Sequence, residues 1–82
     1  MKTSPKSIFD KRYKSLIDKL VSCRKSKNIS QRELANRARV SHCYIARTEI
    51  CERRLDIIEF IDLCRTLEMS DEEIQDLIHT VL

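Results

Sequence analysis

Residues 30–49 read SQRELANRARVSHCYIARTE, and this stretch decides the fold. Ser30 is a good helix N-cap, and Glu33 follows three residues later, which is the spacing of a reciprocal capping box. The apolar residues that then recur at helical spacing on one face are Leu34, Ala35 and Ala38. We therefore expect a short helix that begins at about Gln31.

A second short helix is predicted directly after the first. Val40 is apolar and Ser41 is another good N-cap, so the new helix begins after a tight turn. Ile45 and Thr48 lie on one side of it. The side chains that point elsewhere are those of His42, Cys43, Tyr44 and Arg47. Two short helices, the second with a small buried stripe and a free outer face, are typical of a helix-turn-helix DNA reader.

The chain resembles the Cro and phage-repressor helix-turn-helix family, often called the Xre type, over roughly residues 13–74. The residues that match the family pattern without a gap through the two short helices are Arg24, Ser30, Gln31, Leu34, Ala35, Val40, Ser41, Ile45, Glu49 and Arg53. The match continues along the apolar positions of a fourth helix and the link to a fifth, at Ile57, Phe60, Leu63, Cys64, Leu67 and Met69. The resemblance implies a lambda-repressor-like, all-α domain that binds DNA.

The departures from the family pattern lie at turns. Arg39 and Cys51 stand where the family usually has glycine, and Leu55 replaces a proline ahead of the fourth helix. The chain has no glycine at all. A left-handed conformation at Arg39 or Cys51 would destabilise the fold by about 1 kcal/mol each relative to glycine. Either these turns are remodelled or the core tolerates the strain.

Length and composition exclude several classes of protein. Eighty-two residues form one small domain, with no room for an enzyme cleft and its supporting residues. No nucleophile with a base, paired carboxylates or glycine-rich phosphate loop is present, so we expect no enzyme and no cofactor. No long apolar run or secretory leader is seen, and we expect a cytoplasmic protein.

Charge is unevenly distributed along the chain. Residues 1–54 hold 15 Lys or Arg and 5 Asp or Glu, a balance of +10, whereas residues 55–82 hold 1 Arg and 8 acids, a balance of −7. A basic segment that contains the outward-facing helix is expected of a phosphate-binding surface. The alternative is a solvated basic face without a ligand.

Cysteine and histidine form no recognisable metal site. The spacing of Cys23, Cys43, Cys51 and Cys64 contains no Cys-x-x-Cys, and His42 and His79 complete no zinc pattern. We predict Cys64 in the core and Cys43 on the outer face of the third helix, where it could contact a base or be oxidised.

The remaining sequence predicts three more helices and no strand. Residues 1–8 are expected to be a flexible basic arm, and residues 9–82 a single domain. The first helix runs from Phe9 or Asp10 to about Lys27, the fourth from Asp56 to about Glu68, and the fifth from Asp71 to the end, after a capping box of Ser70 and Glu73. The fold class is a compact five-helix domain.

The expected site follows from the position of each residue in the family's motif. The third helix enters the major groove, which displays a distinct donor and acceptor pattern for each base pair. The base-reading residues are predicted to be His42, Cys43, Tyr44 and Arg47. The residues expected to contact the DNA backbone are Gln31, Ser41, Arg53 and Arg54. The resemblance also implies that Arg24 and Glu49 form a partly buried structural ion pair.

The fifth helix has more apolar residues than one docking stripe needs. They are Ile74, Leu77, Ile78, Val81 and Leu82. We expect them to form a dimer contact, because two recognition helices about 34 Å apart match successive major grooves of a pseudo-palindrome. The alternative is that they complete the core against the first helix.

Together these features predict a dimeric, sequence-specific regulator of transcription that binds double-stranded DNA, most simply a repressor. The alternative is a protein-interaction module, such as an antitoxin or adaptor, that docks a toxin or another regulator on its acidic fourth and fifth helices.

Overall fold

The computed structural model describes residues 10–82, and all of its regular elements are α-helices. The helices are α1 (Lys11–Ser26), α2 (Gln31–Ala38), α3 (His42–Glu49), α4 (Ile57–Thr66) and α5 (Asp71–His79). The predicted all-α five-helix fold is confirmed. The arm predicted over residues 1–8, and Phe9, lie outside the described residues.

Each helix begins at a side-chain cap. The five capping residues have extended backbones and accept a hydrogen bond from a backbone N–H in the first turn: Asp10, Ser30, Ser41, Asp56 and Ser70. The reciprocal capping box predicted at Ser70 is present, and so is one at Asp56. The box predicted at Ser30 is only half formed. The Glu33 carboxylate pairs instead with Arg37, with Oε2 and Nη2 2.6 Å apart, so it is held away from the backbone of Ser30.

A residue in the left-handed conformation lies one or two positions after the end of each of α1, α2, α3 and α4. Arg39 has φ 61° and Cys51 has φ 63°, so both turns are left-handed with side chains attached. Asn28 and Glu68 are also left-handed, at φ 59° and 60°. Asparagine tolerates this region, but arginine, cysteine and glutamate do so at a cost of about 1 kcal/mol or more each. The core therefore tolerates the strain.

The core lies where the five helices meet. The most buried apolar side chains come from α1, α3 and α4 and the residue after α4: Ile17, Ile45, Cys64 and Leu67. Ile29 and Met69, in the links after α1 and α4, also turn inward. Packing of α3 against α1 and α2 leaves the opposite side of α3 facing solvent.

Two expectations about apolar residues change in the structure. Ile57 was expected on the apolar face of the fourth helix, but its side chain is 61% exposed. It is the first residue of α4, and Phe60, Leu63 and Cys64 occupy the face that reaches the core. Likewise α5 ends at His79 and not at the last residue, so Leu82 lies beyond the helix.

Candidate nucleic-acid interface

The outer face of α3 is exposed at three of the four positions predicted to read bases, and the fourth, Tyr44, is half-buried. Ser41 caps the helix by accepting a hydrogen bond from the backbone N–H of Tyr44 at 3.0 Å. Ile45 and Thr48 are buried and fix the helix against the core. The residues that the same packing leaves exposed are His42, Cys43 and Arg47. The exposed side of α3 therefore presents the imidazole of His42, which can donate or accept a hydrogen bond, the thiol of Cys43 and the guanidinium of Arg47.

A buried ion pair ties α1 to the end of α3. The guanidinium Nε of Arg24 donates to Oε2 of Glu49 at 2.6 Å, and Nη2 donates to Oε1 at 2.9 Å. Both side chains are nearly inaccessible, with exposed fractions of 8% and 11%. Nη1 of Arg24 also donates to the carbonyl oxygen of Ile29 at 2.8 Å. The pair therefore fixes the last turn of α3 relative to α1.

Gln31 connects this ion pair to the outer face of α3. Its amide Nε2 donates to Oε1 of Glu49 at 2.8 Å. Its Oε1 lies 3.0 Å from Nε2 of the His42 ring. Gln31 is the first residue of α2 and His42 the first of α3, so the two helix starts are joined side chain to side chain.

Tyr44 and Arg53 are not independent of each other. The Arg53 guanidinium carbon lies 4.0 Å from the centroid of the Tyr44 ring, within range of a cation–π interaction. The same guanidinium donates to both carboxylate oxygens of Glu59 on α4, at 2.8 and 3.3 Å. These hydrogen bonds, with one from the backbone N–H of Asp56, lower the pKa of Glu59 from 4.5 to about 2. Arg53 therefore stands within a cluster of Tyr44, Arg53 and Glu59 and is not a freely solvated cation.

The other two candidate arginines are more exposed. Arg47 contacts Glu52 only loosely, with Nε and Oε1 3.7 Å apart. Arg54 is exposed in the loop that follows, and its carbonyl oxygen accepts a hydrogen bond from Arg53. Of the three arginines predicted to contact DNA, Arg47 and Arg54 can reorient without breaking a close ion pair, whereas Arg53 cannot.

Glu59 was missed by the sequence reasoning, although a signal was present. Asp56 and Glu59 have the spacing of a capping box, and Glu59 does bond back to the Asp56 backbone N–H at 2.9 Å. That spacing fixes the Glu59 carboxylate at the start of α4, where the loop after α3 passes. The contact with Arg53 adds a second role that the spacing alone does not indicate.

The residues predicted for dimerisation fall into two sets. Ile74 and Leu77 are buried in the core of the single chain, each 7% exposed. Ile78 and Val81 are half-buried, and Leu82 is exposed. The sequence reasoning did not identify Ile58, which is exposed beside Ile57 at the start of α4.

A groove of about 440 Å³ lies between α1, the start of α4 and the end of α5. Its apolar walls are formed by Tyr13, Leu16, Ile17, Leu55, Ile57, Phe60, Ile78 and Val81. The Tyr13 hydroxyl accepts the backbone N–H of Leu55 at 3.0 Å, which holds the wall together. The charged residues along this groove are Asp10, Arg12 and Asp56.

The cysteines have different environments. Cys64 is fully buried, and burial raises its pKa to about 12. Cys43 is exposed on α3, whereas Cys23 and Cys51 are half-buried and burial raises the pKa of each. Within residues 10–82, no cluster of His, Cys, Asp or Glu could hold a metal ion. No helix in this part of the chain is long and apolar enough to cross a membrane.

A short α3 with one buried and one exposed side, set against α2 by a tight turn, defines a helix-turn-helix protein. The chain is similar to the solved structure of an XRE-family like protein from Pseudomonas syringae pv. tomato str. DC3000. The two share 36% sequence identity over 94% of this chain and 95% of the other, with a TM-score of 0.80. No family model and no curated protein matches the sequence. The likeness to the solved structure shows that the chain belongs to the XRE family, a family of the DNA-binding regulator type.

Proposed function

We propose that the protein is a sequence-specific transcription regulator, acting as a repressor, that inserts α3 into the major groove of a pseudo-palindromic operator as a dimer. The observation that carries this proposal is the division of α3 into two sides. Ile45 and Thr48 are buried, while His42, Cys43 and Arg47 are exposed together. A helix anchored in this way can present polar groups to base edges without disturbing the core.

Each exposed residue has a matching base chemistry. Arg47 can donate two hydrogen bonds to guanine O6 and N7, and Cys43 can pack against a thymine methyl group. His42 offers a ring nitrogen to a base edge. Tyr44 is half-buried under Arg53, so we assign it to the edge of the interface, beside the backbone.

Backbone contacts position the helix in the groove. The amides at the start of α2 favour an anion, and the Gln31 side chain has a second N–H that its bond to Glu49 does not use. We propose that this N–H and the Ser41 region bind phosphates, together with Arg54 and Arg53. Arg53 is already paired with Glu59, so it should contribute less to DNA affinity than an unpaired arginine would.

The proposed dimer partner is a second copy of the chain, bound at the groove between α1, α4 and α5. Ile57 lines the groove and is itself 61% exposed, so one surface offers both a protruding side chain and an apolar recess. Such a surface can be self-complementary about a two-fold axis. A two-fold axis can also set Arg12 of one copy near Asp56 of the other, since both lie along the groove.

The deciding experiment is selection of bound duplexes from random DNA, followed by footprinting of the winner and a salt titration of its affinity. We expect one motif with two half-sites and a steep loss of affinity with salt. Arg47→Ala should relax the motif, while Arg65→Ala, a matched loss of charge on α4, should leave it unchanged. Recovery of no motif, with shallow salt dependence, would overturn the proposal. It would favour a protein partner on the acidic start of α5, where Asp71, Glu72 and Glu73 are exposed.

A further inference from the structure

A continuous chain of hydrogen bonds runs from the buried ion pair to the exposed ring of His42. Arg24 donates to both oxygens of Glu49, so the carboxylate acts only as an acceptor. The Gln31 group that bonds to Glu49 Oε1 must therefore be the amide NH₂. This fixes the orientation of the Gln31 amide and leaves its carbonyl oxygen facing His42.

The fixed amide determines which nitrogen of His42 carries the proton. Gln31 Oε1 can only accept, and it lies 3.0 Å from Nε2 of the ring. Nε2 must therefore be the donor in this contact, because an amide oxygen carries no hydrogen, and a neutral imidazole has only one N–H. In the neutral ring Nδ1 is then an acceptor. No side chain or backbone group of residues 10–82 forms a hydrogen bond with Nδ1.

We infer that His42, held by Gln31 as the Nε2–H tautomer, reads an exocyclic amino group on a base through Nδ1. This inference rests on the proposed function and specifies one of its contacts. In the major groove, adenine N6 and cytosine N4 are the donors, whereas guanine O6 and N7 and thymine O4 only accept. A neutral His42 therefore favours adenine or cytosine at its position and rejects a base edge that presents only acceptors.

The same chain makes Gln31 a positioning residue for His42. Gln31 bonds to Glu49 of the buried pair on one side and to His42 on the other. It therefore connects the last residue of α3 to the first. Loss of Gln31 frees the ring to adopt either tautomer and to rotate. A merely structural Gln31 changes stability but leaves the tautomer of His42 and its base preference unchanged.

The tautomer is measured in the free protein by ¹⁵N NMR of the ring nitrogens, at about pH 8, above the range in which imidazoles usually titrate. His79 is the internal control, because it is exposed on α5 and its ring forms no hydrogen bond with the described residues. We expect His42 to be more completely Nε2–H than His79. In Gln31→Met the two rings should become alike, while circular dichroism shows that the fold is retained. A His42 ring with its proton on Nδ1 would overturn the inference, and so would one indistinguishable from His79 in the wild-type protein.

The base contact is measured on the duplex that the wild-type protein selects. At the position whose preference is lost in His42→Ala, purine replaces adenine, or 2-pyrimidinone replaces cytosine, so that only the amino group is removed. We expect roughly 3- to 10-fold weaker binding by the wild-type protein, as for one lost hydrogen bond. His42→Ala should show no further loss. Replacing the neighbouring purine N7 by C–H, which removes an acceptor, should not weaken the contact of His42.

The results separate the inference from the proposed function. If a motif is selected but His42→Ala changes no position, or removing the amino group has no effect, the inference fails and the regulator proposal stands. If no sequence is selected, the proposed function fails and the base contact fails with it. The tautomer measurement, made without DNA, still records whether Gln31 holds the ring.

Discussion

Arg24 and Glu49 lie 25 positions apart in the chain and are joined by two hydrogen bonds, and both side chains are largely buried. Removing one partner leaves the other charge buried and unpaired. We expect Arg24→Ala to lower the free energy of unfolding by about 3 to 5 kcal/mol, measured by urea denaturation. The double substitution Arg24→Met with Glu49→Leu should cost less than about 2 kcal/mol, because no charge is then stranded.

The control for this prediction is Arg37→Ala. Arg37 and Glu33 also form a close pair, but both side chains are well exposed on α2. Solvent screens such a pair, and its loss should cost no more than about 0.5 kcal/mol. Equal costs for the buried and the exposed pair would contradict the role given to burial.

The Arg53 and Glu59 pair predicts an acid-sensitive step in stability. The pKa of Glu59 is lowered from 4.5 to about 2 in the folded chain, so its contribution is present above pH 4.5 and is lost as pH falls toward 2. Glu59→Gln should therefore flatten the fall in stability across this range, measured by denaturation at a series of pH values. Hydrogen bonds from Arg12 also lower the pKa of Asp10 to about 2. Asp10 therefore accounts for part of the pH dependence of stability that remains in this variant. An unchanged slope in Glu59→Gln would contradict the ion pair.

Arg53 and Arg54 should differ in their effects on DNA binding. Arg54→Ala removes an exposed cation, so it should weaken binding to all DNA sequences similarly. It should also reduce the slope of log affinity against log salt concentration by about one unit per subunit. Arg53→Ala also releases Tyr44 and Glu59, and we expect it to cost stability as well as affinity. Salt titrations on specific and scrambled duplexes measure the first effect, and urea denaturation measures the second. A change of sequence preference in Arg54→Ala would contradict its assignment to the backbone.

The dimer proposal places Ile57 at the contact. Ile57→Lys should raise the dimer dissociation constant roughly 10- to 100-fold, because an isoleucine side chain is no longer buried when the dimer forms. Sedimentation of the wild-type and substituted chains measures it. Ile50→Lys is the matched control, because Ile50 is equally exposed but does not line the groove. A wild-type chain that is monomeric at micromolar concentration would contradict the dimer.

Glu68 offers a test of backbone strain away from the interface. It is exposed and left-handed at φ 60°, so Glu68→Gly should raise the free energy of unfolding by roughly 0.5 to 1 kcal/mol. Asn28→Gly is the control, since asparagine already tolerates this conformation. Thermal or urea denaturation of both variants decides the comparison. A destabilised Glu68→Gly variant would show that its side chain contributes more than the strain costs.

The sequence predicted the helices well because their caps and apolar spacing are local signals. Ser41 and Asp56 begin helices where predicted, and Ile45 and Thr48 turn inward as their spacing requires. Side-chain pairing was harder to predict, because it depends on how separate elements pack. No local pattern shows that Arg53 stacks on Tyr44 and pairs with Glu59, or that Gln31 joins Glu49 to His42. The apolar residues of α5 could be counted from sequence, but their division between core and surface required the fold.

The absence of glycine also affects the unfolded chain. A glycine samples far more backbone conformations than other residues, and folding must give all of them up. Here the four left-handed positions among residues 10–82 carry side chains, so their unfolded ensemble is narrower and less entropy is lost when the turns form. Part of the steric cost at Arg39, Cys51 and Glu68 is therefore offset before any tertiary contact is made. In these turns, side chains restrict the unfolded chain and so favour folding, while the same side chains strain the backbone of the folded chain.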